Sequence, residues 1–142
     1  MAPREQIIET ARKWVQAHDS GPDRDASIMA LTAPDFVAHH APRSLETPDF
    51  NREEYVEFQS QAFAVFESYS HKEVDFVIDE AQNKVVYYLD VEAHGAGGNV
   101  KYESQYIQKL LLTDDGKLVR EFHTFLDSQN FVTFMNRVQG RH

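Results

Sequence analysis

The sequence predicts an α+β fold: helices packed on one face of a strongly curved, mostly antiparallel sheet, a cone-shaped barrel wrapped around its N-terminal helices. Two observations carry this. Apolar residues recur at helical spacing as far as about residue 69, and with a period of two after it. Helices therefore come first and strands follow in succession, the order of an α+β chain.

Each element has its own signal. Residues 4–18 place Ile7, Ile8, Ala11, Trp14 and Val15 on one stripe with charged residues opposite, and "DSGPD" ends that helix with glycine and proline. A second short helix is read at "RDASIMALT", then a short strand at "DFVAHH". "APRSLETPDF" holds two prolines and reads as an irregular loop. The third helix is read over residues 51–69, with Asn51 and Glu54 as a capping box and Tyr55, Phe58, Ala62, Phe63 and Phe66 as its stripe. "KEVDFVID" and "KVVYYLDVEAH" are strands joined by "DEAQN". "GAGG" reads as a turn into the strand "VKYESQYIQKLLLT". "DDG" makes a hairpin into "KLVREFHTFLDS", and "QNFVTFMNRVQ" forms a terminal helix or cap. No repeat or linker interrupts residues 1–142, so a single domain is expected.

Composition narrows the function. A net charge of −9 without any Lys/Arg cluster argues against a nucleic-acid partner. The absence of cysteine removes thiol nucleophiles and zinc thiolate sites. No apolar run has the length of a signal peptide or membrane span, so a soluble cytoplasmic protein is expected. No phosphate-cradling glycine loop opens a helix, and no metal motif is recognisable in the spacing, so neither cofactor nor metal is expected.

The final hairpin carries the chemistry. In "REFHTFLDSQNF" one strand face offers Phe122, Thr124 and Leu126, the other Glu121, His123, Phe125 and Asp127. The preceding strand offers Tyr102, Ser104, Tyr106, Gln108 and Leu110 on one face. A buried polar group without a partner costs roughly 1 to 3 kcal/mol, so the acidic and imidazole row faces either bulk water or a pocket. The pocket reading is favoured because Phe125 interrupts the polar row beside the tyrosines. It leaves Phe122, Leu126 and Ile107 outward, an apolar surface that calls for a homodimer partner on the outer sheet face.

The motifs "HHAPRSLETP", "NKVVYY", "YESQYI" and "DDGKLV…FLDS", in this element order, resemble the SnoaL-like superfamily, of the nuclear transport factor two fold. Within it they resemble fungal isomerases and cyclases that rearrange the rings of meroterpenoids and related metabolites. The resemblance covers nearly the whole chain. Compared with ketosteroid isomerase, of the same fold, it implies that Glu121, His123 and Phe125 face the cavity. It also implies that Trp14 and Gln108 stand at the oxyanion positions, with a base near His39 or His40.

The expected function is a cofactor-independent isomerase or cyclase acting on an apolar polycyclic metabolite. His123 is the acid/base, with Asp127 or Glu121 as partner; Tyr102 and Tyr106 polarise a carbonyl, and His40 is a further base candidate. His123 and Asp127 lie about 13 Å apart along an ideal strand, so no direct bond between them follows. Trp14, Arg43, Tyr55, Gln59, Phe63, Gln108 and Phe125 are the expected substrate contacts. A hydrolase or dehydratase of the same fold, or a non-catalytic dimeric binding module, remains open at this point.

Overall fold

The computed structural model describes residues 2–19, 21–95 and 101–138. Its elements are α1 (Arg4–Ala17), α2 (Arg24–Leu31), β1 (Thr32–Ala41), β2 (Phe50–Asn51), α3 (Arg52–Phe63), β3 (Phe66–Asp79), β4 (Lys84–Gly95), β5 (Lys101–Leu112), β6 (Val119–Leu126) and α4 (Ser128–Val138). The α+β class holds: six strands form one sheet in the order β2-β1-β6-β5-β4-β3, with helices on it. β1 runs parallel to β6, and every other pairing is antiparallel. Among the described residues no helix is long and apolar enough to cross a membrane. The "GAGG" turn falls partly on residues 96–98, outside the described residues.

Local chemistry accounts for most boundaries. Asn51 caps α3 by accepting from the Glu54 N–H at 2.8 Å, while the Glu54 carboxylate accepts from the Asn51 N–H at 2.9 Å. Helix α3 stops at Phe63, earlier than its apolar spacing suggests. From Phe66, which faces Gly95, the chain joins a ladder with β4 that runs to Asp79 and Lys84. Pairing of a long strand outweighs one more helical turn, so Phe66 and Tyr69 belong to the sheet rather than to a helix, and the strand takes in His71 as well.

The core lies between the sheet and helices α1–α3. Its inner sheet face comprises Val85, Tyr87, Leu89, Val91 and Ala93 of β4, and Tyr102, Tyr106, Gln108 and Leu110 of β5. Trp14, Phe36, Tyr55 and Phe122 meet at its centre with ring centroids 5.3 to 5.9 Å apart.

The sidedness of β6 is the reverse of that expected. Residues directly opposite in a ladder share a sheet face. Tyr106 pairs with Leu126, Gln108 with Thr124 and Leu110 with Phe122, so the inner face of β6 is Phe122, Thr124 and Leu126. His123 pairs with Lys109 and Phe125 with Ile107, which puts Glu121, His123 and Phe125 on the outer face. The charged row avoids the dry core, as desolvation requires. A register shift near Arg120 restores Val119 to the buried side and leaves Arg120 outside, bonded to Asp35 at 3.1 Å.

Gly116, in the β5–β6 turn, has φ of 72° and sits against α1: its carbonyl accepts from the Thr10 hydroxyl. A Cβ at this position stands 2.6 Å from the Cβ of Ala2. Replacement Gly116→Ala is expected to lower the unfolding free energy by about 1–2 kcal/mol from left-handed strain alone, with the contact to Ala2 adding to it. Urea denaturation measures this, with the exposed Lys117→Ala as an unaffected control.

Candidate active site

Of the residues expected to act, the inner layer holds Tyr102, Tyr106, Gln108, His40, Tyr55, Gln59 and Trp14. The outer sheet face holds Glu121, His123 and Phe125. Asp127 is exposed and caps α4, accepting from the Asn130 N–H at 3.1 Å. It is therefore a helix cap rather than the partner of His123. Arg43 lies exposed in a 3-10 turn of the proline-rich loop. The side chain of Phe63 lies outside the described residues.

β1 and β6 run parallel with His39 opposite His123 and His40 opposite Thr124, so His40 is the inner histidine of the pair. It is walled by Phe50, Tyr55, Phe58 and Phe122 at centroid distances of 5.7, 6.2, 5.2 and 6.5 Å. Its Nδ1 is buried without a partner, and desolvation lowers its pKa to about 4. His40 is a neutral imidazole in an aromatic box.

His18, at the end of α1, went unnoticed in the sequence. Its Nδ1 lies 2.7 Å from the Trp14 carbonyl, which can only accept, so Nδ1 carries the proton. Nε2 then accepts from the Tyr55 hydroxyl at 2.7 Å. Burial lowers the pKa of this ring to about 3, and both nitrogens are satisfied. It is a structural histidine.

The unexpected feature is a dyad. Asp19, just past α1, accepts from His71 of β3 twice through Oδ1: from the backbone N–H and from Nδ1, each at 2.9 Å. A carboxylate holds the Nδ1–H tautomer in place, leaving Nε2 as the basic nitrogen. The His71 side chain is 4% exposed, and burial lowers its pKa despite the opposing pull of Asp19. Tyr69 stands edge-on to this ring at 4.7 Å. The Tyr69 hydroxyl donates to the Tyr106 oxygen at 3.1 Å, and the Tyr106 and Tyr102 hydroxyls are also 3.1 Å apart. Burial raises the pKa of all three tyrosines, which keeps them protonated donors. Deeper in, Gln108 Nε2 donates to the Thr124 hydroxyl at 3.1 Å. At the helical side Arg24 Nη2 donates to Gln59 Oε1 at 3.1 Å.

One imidazole held by a carboxylate, beside three linked phenols, can take a proton from one atom of a bound molecule and hydrogen-bond a carbonyl on another. Helix α4 covers the phenol end: Phe134 stacks on Phe66 at 5.2 Å and lies 5.0 Å from Tyr102. The Asn130 amide also donates to the Glu103 carbonyl. A broad recess of about 1360 Å³ opens on the outer sheet face among Lys72, Val74, Tyr88, Gln105, Ile107 and Phe125, and its lining also includes His71 and Tyr106.

No family model matches the chain. A protein from Jannaschia Sp. CCS1 described as a SnoaL-like polyketide cyclase superposes with a TM-score of 0.74 at 15% identity, covering 92% of this chain and 91% of that one. The chain has the SnoaL-like fold. BvnE pinacolase from Penicillium brevicompactum shares this SnoaL-like architecture with a TM-score of 0.83 and 26% identity, covering 96% of both chains. In sequence, the SnoaL-like chain is 28% identical over 140 residues to austinoid biosynthesis clusters protein F of Penicillium brasilianum, covering 96% of this chain and 90% of that protein. It is also 28% identical over 148 residues to isomerase prhC of the same fungus, covering 97% and 79% respectively. The fold implied by the quoted motifs is therefore present, and the relatives named here are an austinoid biosynthesis cluster protein, an isomerase and a pinacolase, all from Penicillium.

The depressed imidazoles make stability pH-dependent with a definite sign. Above the ordinary histidine pKa of about 6.5 both folded and unfolded chains are neutral at these sites. As pH falls below it, the unfolded chain takes up protons that the folded chain refuses until about 4 at His40 and about 3 at His18. Stability is expected to fall by about 1.4 kcal/mol per pH unit for each such histidine. Urea denaturation between about pH 7.5 and about pH 4.5 checks this slope.

Proposed function

We propose that this chain is a cofactor-independent isomerase or cyclase that rearranges an apolar, polycyclic secondary metabolite of meroterpenoid, polyketide or alkaloid type. Similarity across 97% of this chain to a protein named isomerase prhC, of which it covers 79%, and across 96% of both chains to a pinacolase supports the reaction class. The observation that carries the mechanism is the Asp19–His71 dyad beside the linked hydroxyls of Tyr69, Tyr106 and Tyr102.

His71 Nε2 removes a proton from the substrate, and Asp19 stabilises the imidazolium that forms. Tyr106 accepts from Tyr69; when Tyr102 also donates to it, the Tyr106 proton is left to bond a carbonyl or enolate oxygen. The same imidazolium returns the proton to a different atom, which completes an isomerisation without external reagent. The acid/base role thus passes from the outward-facing His123, Glu121 and Asp127 to His71, while Tyr102 and Tyr106 keep the roles expected of them. His40, in its apolar box, is the alternative base. Because α4 covers the phenol end, admission of a substrate requires that helix to move.

Single replacements His71→Gln and Tyr106→Phe are expected to lower kcat by about 100-fold or more each, with the fold retained by circular dichroism. Full turnover in both variants overturns the assignment. Reaction in labelled water distinguishes the alternatives: solvent oxygen in the product means hydrolysis rather than isomerisation.

The outer sheet face supports a homodimer. Tyr88, Ile107 and Phe125 are 45, 41 and 53% exposed and form a row across β4 to β6, with Val74, 58% exposed, at the β3 irregularity beside it, in place of the expected Phe122 and Leu126. Ile107→Glu with Phe125→Glu is expected to convert the dimer to monomer in sedimentation velocity. A wild-type chain that sediments as a monomer rejects the interface.

A further inference from the structure

We infer that the outer face of the sheet binds a borderline divalent metal ion, of the zinc type, through His39, Glu121 and His123. The donors come from two strands. His39 of β1 lies opposite His123 of β6 in the parallel ladder, and Glu121 precedes His123 by two residues on the same face. One ligand atom from each of the three lies within 4.8 Å of the others. The two imidazoles stack at 4.5 Å with 22° between their planes. All three residues are half-buried, so the donors are partly sheltered yet reachable.

A second observation points the same way. His39 Nδ1 lies 2.9 Å from Asp49 Oδ1. The carboxylate accepts the Nδ1 proton, fixes the tautomer and leaves Nε2 as the lone-pair nitrogen. Carboxylate–histidine–metal relays use this arrangement to orient a ligand and raise its basicity. The flanking cation is Lys109, opposite His123, and the carboxylates of Glu121 and Asp49 offset it.

Two imidazoles with one carboxylate suit zinc, cobalt or nickel, and leave a coordination position open. Magnesium and calcium favour all-oxygen shells and fit poorly. Closing the donor set from 4.8 Å to the ~3.3 Å edge of a tetrahedral zinc site takes modest side-chain rotation. The bound ion would fasten β1 to β6 and, through Asp49, hold the proline-rich segment against the sheet. It is separate from the inner dyad, so the proposed reaction does not depend on it.

Calorimetric titration of the untagged, chelator-treated chain with zinc chloride tests this. Saturation at one ion per chain, a rise in Tm with zinc, and no response to magnesium are expected. His123→Gln and Glu121→Gln should each weaken binding by well over tenfold, whereas His94→Gln leaves it unchanged. Asp49→Asn acts through His39 and should weaken binding by about tenfold. It should also alter the visible spectrum of the cobalt-loaded chain, with partial recovery in Asp49→Glu. Absence of saturable zinc binding, or binding that survives both His123→Gln and Glu121→Gln, overturns the site.

Discussion

The register between β5 and β6 governs what this molecule presents inside and outside. Opposite residues in an antiparallel ladder point to the same side, and a slip of one residue inverts a whole strand. With Gln108 opposite Thr124 and Leu110 opposite Phe122, the tyrosines of β5 and the apolar row of β6 share the interior. The imidazole and carboxylate of His123 and Glu121 are thereby turned outward. Phe122 is the residue that profits most: it meets Trp14, His18, Tyr55 and His40 at the centre of the core. The other choice would place the carboxylate of Glu121 and the imidazole of His123 where those rings now pack, at the cost of their desolvation.

That interior is dry enough to hold its titratable groups neutral. Burial depresses the imidazoles of His18, His40 and His71 and raises the phenols of Tyr55, Tyr69, Tyr87 and Tyr106. What differs among the histidines is what occupies their nitrogens. His18 has both satisfied; His40 has Nδ1 without a partner; His71 has Nδ1 held by a carboxylate. A neutral imidazole with one fixed tautomer and a basic nitrogen to spare is a proton acceptor by construction. Neutral phenols beside it offer donors without placing a formal charge in the core. The outer face follows the opposite logic, combining an apolar row suited to a second chain with a half-buried cluster of His39, Glu121 and His123.

Periodicity, turn chemistry and capping signals in the amino-acid sequence were sufficient for the α+β class, nearly all the elements, the Asn51–Glu54 cap and the grouping of Tyr102, Tyr106 and Gln108 on one strand face, because these depend on neighbours within one segment. The end of α3 was not legible. Its apolar spacing continues through Phe66, and only a partner strand ending at Gly95 draws that residue into the sheet. With it went Tyr69, whose period-two placement is invisible while residues 51–69 are read as helix, and His71, which fell between that helix and the strand read from Lys72. The inside of β6 and the pairing of Asp19 with His71 were likewise decided by tertiary structure alone. Alternation tells two faces apart but not which is covered, and residues 52 apart in sequence are brought together only when α1 docks against β3.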